Sequence, residues 1–274
     1  MLELMDNCFI KRPAWPYIQN KNMKSYHLPL LILILLSCGF NKPNTTQSTP
    51  PGHQLWTDLL QKHVRQDGMV DYRGFIKDST KLNQYLSTLE NHIPADNWSE
   101  KEKLAYWINA YNAYTIQLVI RHYPLESIKD ISGFLSIPFV NSAWDIKFIE
   151  LGGEKLDLNN IEHSILRKEF DEPRIHFAIN CASISCPVLR NEAFTADKLE
   201  AQLEEQTKIF LNNPEKNRIG KNEIEISKIF SWFGGDFKKE GTIIDFINPY
   251  TATDISPGAS VKYIDYNWQL NDSK

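Results

Sequence analysis

Apolar residues recur along this chain in several distinct rhythms, and each rhythm predicts a different element. Leu55, Trp56, Leu59, Leu60 and Val64 have helical spacing, as do Leu82, Tyr85, Leu86 and Leu89. Asp67-Gly68 turns the chain between them into a short extended piece at 69–72. Residues 99–122 form the longest predicted helix. Ser99 and Glu102 open it as a capping box, and Tyr123-Pro124 stops it. Its positions are apolar nearly all round, from Leu104, Trp107 and Ile108 to Ile116, Leu118 and Val119. A helix of that kind belongs at the centre of a fold. Residues 142–151 alternate as a strand, and Gly152-Gly153 makes a hairpin turn into Lys155-Leu156. A helix follows over 161–170, with Glu162 three after Asn159 as a candidate cap.

Ile175, Phe177 and Ile179 alternate, which predicts a short strand running into a tight loop up to Pro187. An amphipathic helix is expected over 195–212, buried on Leu199, Leu203, Thr207 and Phe210. Arg218-Ile219 and Ile224–Ile226 read as a hairpin around Lys221-Asn222. A short helix over 228–233 is capped by Ser227 and broken at 234–237. One more helix spans 242–250, and 261–268 alternates as a final strand. Helices and short strands mix without a regular βαβ rhythm. The predicted class is α+β: one domain over 53–274, with a buried central helix and short mixed or antiparallel strands.

The N-terminal region reads as targeting sequence. Lys24 precedes the apolar run 28–36, and Ser37-Cys38-Gly39 follows. The run is too short for a membrane span and fits a signal segment over 1–37. Leu35-Leu-Ser-Cys38 is similar to a bacterial lipobox, so Cys38 is the expected lipidation site. Residues 1–22 have no role in that scheme if Met23 is the start. The polar, proline-rich stretch over 38–52 reads as a tether. The expected location is extracytoplasmic, with a lipoprotein anchored to the membrane of the bacterial cell envelope.

Charge and composition narrow the classes. The formal net charge is −4 with no basic block, which argues against nucleic acid as a partner. Four cysteines are too few for a disulfide scaffold. No cofactor is expected.

The densest chemistry lies in 174–187, where His176, Asn180, Cys181, Ser183, Ser185 and Cys186 fall close together. Three chemistries suit these residue types. Cys181 as a nucleophile, with His176 or His163 as base and Glu162 orienting that base, describes a cysteine hydrolase or acyltransferase. Backbone N–H groups of the 182–185 loop would then face the oxyanion, and Ser183 or Ser185 is the alternative nucleophile. A Cys181–Cys186 disulfide instead describes a non-catalytic module that binds a peptide or glycan. A metal site would draw on His163, His176, Cys181 and Cys186, with a Cys-x4-Cys spacing at the edge of the usual range. Asn109 and Asn112, three apart in the central helix, either anchor neighbouring backbone or border the site with Asn180, Ser183 and Ser185 as substrate-binding groups.

Several blocks carry a resemblance: Tyr106–Asn112, Ile161–Arg167, His176–Pro187, Ser227–Trp232 with Asp236-Phe237, and Tyr263–Trp268. In this order they resemble the signature blocks of the family catalogued as domain of unknown function 547. The resemblance implies that these blocks belong to one domain. It assigns no activity. Related domains in eukaryotic multidomain chains look intracellular, which counts against a required disulfide.

Overall fold

The computed structural model describes residues 48–134 and 142–273, all within one unit, Thr46–Lys274. The expected signal segment, Cys38 and most of the expected tether lie outside the described residues. The part of the tether that is described is docked on the domain. The Ser48 carbonyl accepts hydrogen bonds from the Trp98 indole at 2.6 Å and from Asn97 at 3.3 Å, and Pro51 is buried.

The fold is α+β, organised on two hydrophobic cores. The first surrounds the central helix. Helices α1 (Gln54–His63), α2 (Tyr72–Lys77) and α3 (Ser79–Asn91) gather around α4 (Glu100–His122). The Ser99 hydroxyl accepts from the Glu102 amide, and the Glu102 carboxylate accepts from the Ser99 amide, so the expected capping box is present. Every position from Leu104 to Val119 is buried. Helix α2 was not expected. The expected extended piece before it is present, with Val70 bridged to Val64 and Asp272, and Asp71 accepts from the Gly74 amide at 2.8 Å to cap the helix that follows.

After α5 (Asp130–Phe134), the predicted strand over 142–151 is mostly not a strand. Ala143–Asp145 is a 3-10 turn, because the Ser142 hydroxyl donates to the Asp145 carboxylate and closes it locally. Only β1 (Ile149–Leu151) pairs, antiparallel with β2 (Glu154–Leu156). Gly152 and Gly153 both have positive φ, as a two-residue hairpin turn requires.

The next helix is a π-helical stretch, Asn160–Leu166, running into α6 (Arg167–Glu169). Asp157 and Asn160 bond reciprocally at its start, so Glu162 is not the cap. The predicted strand at 175–179 is instead a single helical turn, α7 (Ile175–Ala178), with all of its side chains buried. It lies between the two cores: Ile175 and Ala178 belong to the first, Phe177 to the second. Alternation there reflects two buried sides rather than one sheet face.

The second core joins α8 (Leu199–Leu211) to a small mixed sheet. Strand β3 (Arg218–Ile219) pairs antiparallel with β4 (Glu223–Ser227), in the expected hairpin. Strand β5 (Ser260–Ile264) pairs parallel with β4. Between β4 and β5 come α9 (Ile229–Trp232), α10 (Gly234–Phe237) and α11 (Ile243–Ile247), followed by the 3-10 turn Asn248–Tyr250. The break after α9 is present as expected, and the residues from Gly234 then form a separate turn of helix. Ile224, Ile226, Phe230, Phe237 and Ile244 fill this core.

Candidate functional site

The site lies where the π-helical stretch, α7, α10, the 181–186 loop and the segment after β5 converge. Glu162 points inward and is buried, and one of its oxygens accepts from the Tyr111 hydroxyl at 3.1 Å. Burial raises its pKa to about 7, against the opposing effects of Tyr111 and Arg167. The adjacent His163 stays at the rim. Its Nδ1 accepts from Arg167 Nη1 at 3.1 Å, so the ring is neutral with its other nitrogen protonated. Desolvation against its neighbours, and then the Arg167 guanidinium, lower its pKa to about 4, although part of the side chain is exposed.

Asp236 is the hub of the charged side. It accepts from Arg167 Nε at 2.6 Å and Nη2 at 3.2 Å, and from His176 Nε2 at 2.8 Å. Burial alone would raise its pKa, but these bonds outweigh burial and hold the carboxyl well below its usual range. His176 is buried, with its ring stacked 4.1 Å from Phe233. Burial lowers its pKa against the pull of Asp236.

Cys181 and Cys186 are joined as a disulfide. The Cys181 amide donates to Cys186 Sγ at 2.9 Å. Cys181 Sγ lies 3.3 Å from both the Ser183 and the Tyr266 hydroxyls, and Ser183 donates to Tyr266 at 3.2 Å. Lys216 donates to the Cys186 carbonyl, and burial lowers its pKa to about 8. The Ser185 hydroxyl accepts from the Asn267 amide at 2.8 Å.

Above this polar floor sits an aromatic cluster. Trp268 lies 4.6 Å from Tyr266, 5.7 Å from Trp232 and 5.8 Å from Trp144, measured between ring centroids. All four residues are half-buried. The Lys129 ammonium sits 4.0 Å from the Trp268 ring centroid.

The amides of the central helix are fully occupied with backbone. Asn109 donates to the Phe194 carbonyl at 2.8 Å and accepts from its amide at 2.9 Å. Asn112 donates to the Ala178 carbonyl and accepts from the Asn180 amide, each at 2.9 Å. Asn180 in turn bonds the Pro187 carbonyl and the Ala182 amide. All three are buried; Asn112 and Asn180 hold the cysteine loop in place, and Asn109 holds the backbone at Phe194.

The sequence-expected catalytic set is thus divided. Cys181 is bonded to Cys186, His176 to Asp236, and His163 to Arg167, so neither imidazole has a cysteine sulfur among its hydrogen-bond partners. The same pairings leave the expected metal ligands apart. Among the described residues, no group of three or more His, Cys, Asp or Glu is arranged to hold a metal ion. Asp236, Tyr111, Tyr266 and the tryptophans were not among the expected site residues. Asp236, Tyr266, Trp232 and Trp268 do stand in the resembling blocks, which was the available signal. An open groove of about 520 Å3 along α3 shares no lining residue with this site.

The fold and site together define an α+β domain with a buried carboxyl and a clamped cysteine loop beneath a half-exposed aromatic cluster. Residues 95–211 match the family model described as "Protein of unknown function, DUF547", which supports the resemblance over that segment. The blocks at 227–237 and 263–268 lie beyond it. No curated protein and no solved structure matches the chain.

Proposed function

We propose that this protein is a non-catalytic glycan-binding module of the bacterial cell envelope, held at the membrane by a lipid on Cys38. The aromatic cluster of Trp144, Trp232, Tyr266 and Trp268 carries the reading. Partly exposed rings offer flat apolar faces to a sugar, and the Lys129 ammonium, 4.0 Å from the Trp268 ring centroid, stands beside them as a polar group to orient it. The disulfide supports binding over thiol catalysis, since it leaves Cys181 no thiolate to act as nucleophile. A cysteine hydrolase would also need an imidazole free to serve the sulfur, and both candidates are engaged elsewhere.

Tryptophan emission during titration with soluble N-acetylglucosamine oligomers tests the proposal. Saturable quenching that Trp232→Ala abolishes, with the circular dichroism unchanged, is the expected result. No response to glycans, together with binding of unrelated peptides at the same residues, would replace the glycan by a peptide. Incorporation of a labelled fatty acid, lost in Cys38→Ala, tests the anchor.

A further inference from the structure

The two sulfurs of the Cys181–Cys186 bond stand in unlike surroundings. Cys186 is buried, whereas Cys181 is half-buried and faces hydroxyl groups. The buried sulfur already accepts the Cys181 amide at 2.9 Å. The Lys216 amine is bonded to the carbonyl of the same residue. Amide N–H groups and nearby cations stabilise a thiolate. The half-exposed sulfur sits beside the Ser183 and Tyr266 hydroxyls, where a released thiol would also find partners. Ala182, the residue after Cys181, has a positive φ of 60°, a backbone state that a non-glycine residue keeps only when its surroundings hold it there.

We propose that Cys181–Cys186 is a redox-active disulfide that exchanges electrons with an external dithiol, Cys181 being the sulfur attacked and Cys186 the leaving thiolate. In the first step a thiolate of the dithiol attacks Cys181 Sγ. A mixed disulfide forms, the Cys181–Cys186 bond breaks, and its electron pair stays on Cys186 Sγ under the Cys181 N–H. In the second step the other thiolate of the dithiol attacks its own sulfur in the mixed disulfide. That expels Cys181 as a thiolate and closes the dithiol into a disulfide. Two electrons pass to the protein, and the two protons of the dithiol go to the cysteines or to solvent. The Lys216 amine, bonded to the Cys186 carbonyl, places a cation on the residue that leaves. A leaving thiol that is better stabilised departs faster.

The test uses the oxidised full-length protein in native buffer, with glutathione as a one-thiol probe and dithiothreitol as the dithiol. After a rapid quench with iodoacetamide, mass spectrometry locates the glutathione adduct and the newly alkylated cysteine. Expected are an adduct on Cys181 in about tenfold excess over Cys186, alkylation of Cys186, and reduction by dithiothreitol that denaturant does not accelerate. Equal or inverted adducts overturn the proposal, as does reduction that proceeds only on unfolding. Alkylation of both Cys181 and Cys186 in the protein purified without reductant overturns it as well. Lys216→Gln supplies a second readout. Reduction should slow several-fold in this variant while Cys181 remains the site of the adduct, and an unchanged rate removes the lysine from the mechanism.

Discussion

Asp236 accepts a hydrogen bond at 2.8 Å from His176, a residue sixty positions earlier and buried between the two cores. Arg167 reaches the same carboxylate through two nitrogens. One side chain thereby fixes α10, α7 and the start of α6 to one another. Removing it takes from the buried His176 its Nε2 partner and leaves the Arg167 guanidinium only His163 as acceptor among the described residues.

Asp236→Asn is therefore expected to destabilise the fold by about 3 kcal/mol, the range seen when one partner of a buried ionic network is lost. Lys239→Met is the control. It breaks an exposed pair with Asp171 and should change stability by less than about 1 kcal/mol. Urea unfolding of both variants checks this, and equal losses would refute it.

Glu162 gives the fold a distinctive pH dependence. The unfolded carboxyl loses its proton near 4.5, the folded one near 7. Between those values the native state holds the extra proton, so the contribution of Glu162 to stability falls as pH rises through this window. The difference in unfolding free energy between wild type and Glu162→Gln should then fall by roughly 3 kcal/mol from pH 4 to pH 7.5. Histidine titrations are common to both proteins and cancel. A flat difference refutes the assignment.

Asn112 ties α4 to both sides of the α7 exit. In Asn112→Ala the Ala178 carbonyl and the Asn180 amide are left buried without partners, at a cost of about 1–3 kcal/mol each. Thermal unfolding should show a marked loss. Amide exchange should rise first at Asn180 and through the cysteine loop, and exchange that rises uniformly over the protein would contradict this local role.

Gly68 and Gly153 both have positive φ, yet they differ in their surroundings. A Cβ on Gly68 would lie 2.8 Å from the Val188 Cα, whereas one on Gly153 meets nothing within 4 Å. Gly153→Ala should cost about 1 kcal/mol, from the backbone conformation alone. Gly68→Ala should cost clearly more, because the added Cβ meets backbone as well as side chain of Val188. Melting temperatures of the two variants decide it.

Much of the fold was legible where local rules suffice. The Ser99–Glu102 box, the apolar central helix, the Gly152-Gly153 turn and the β3–β4 hairpin all depend on residues close in sequence. The failures came where distant parts meet. Alternation at Ile175, Phe177 and Ile179 suggested a strand, but α7 is enclosed by two cores and periodicity cannot register a second buried side. Glu162 was read as a cap from its spacing, whereas Asp157 and Asn160 supply the cap and the glutamate turns toward Tyr111. In the site, the cluster at 176–186 drew notice because its groups are adjacent in sequence. The partners that decide its chemistry, Asp236 and Tyr266, arrive from the far side of a sheet whose parallel pairing no local pattern reveals.

The segment after β5 threads through all of this. Tyr266 meets the disulfide, Asn267 the Ser185 backbone and hydroxyl, and the Asn271 side chain the Tyr72 hydroxyl at 2.7 Å. The Asn271 carbonyl also accepts the Val70 amide. These residues are synthesised after everything from 48 to 264, yet they close both the site and the packing of the first helices. A nascent chain held short of them has no complete native state to settle into. The native packing of the first helices is therefore complete only once this segment is in place.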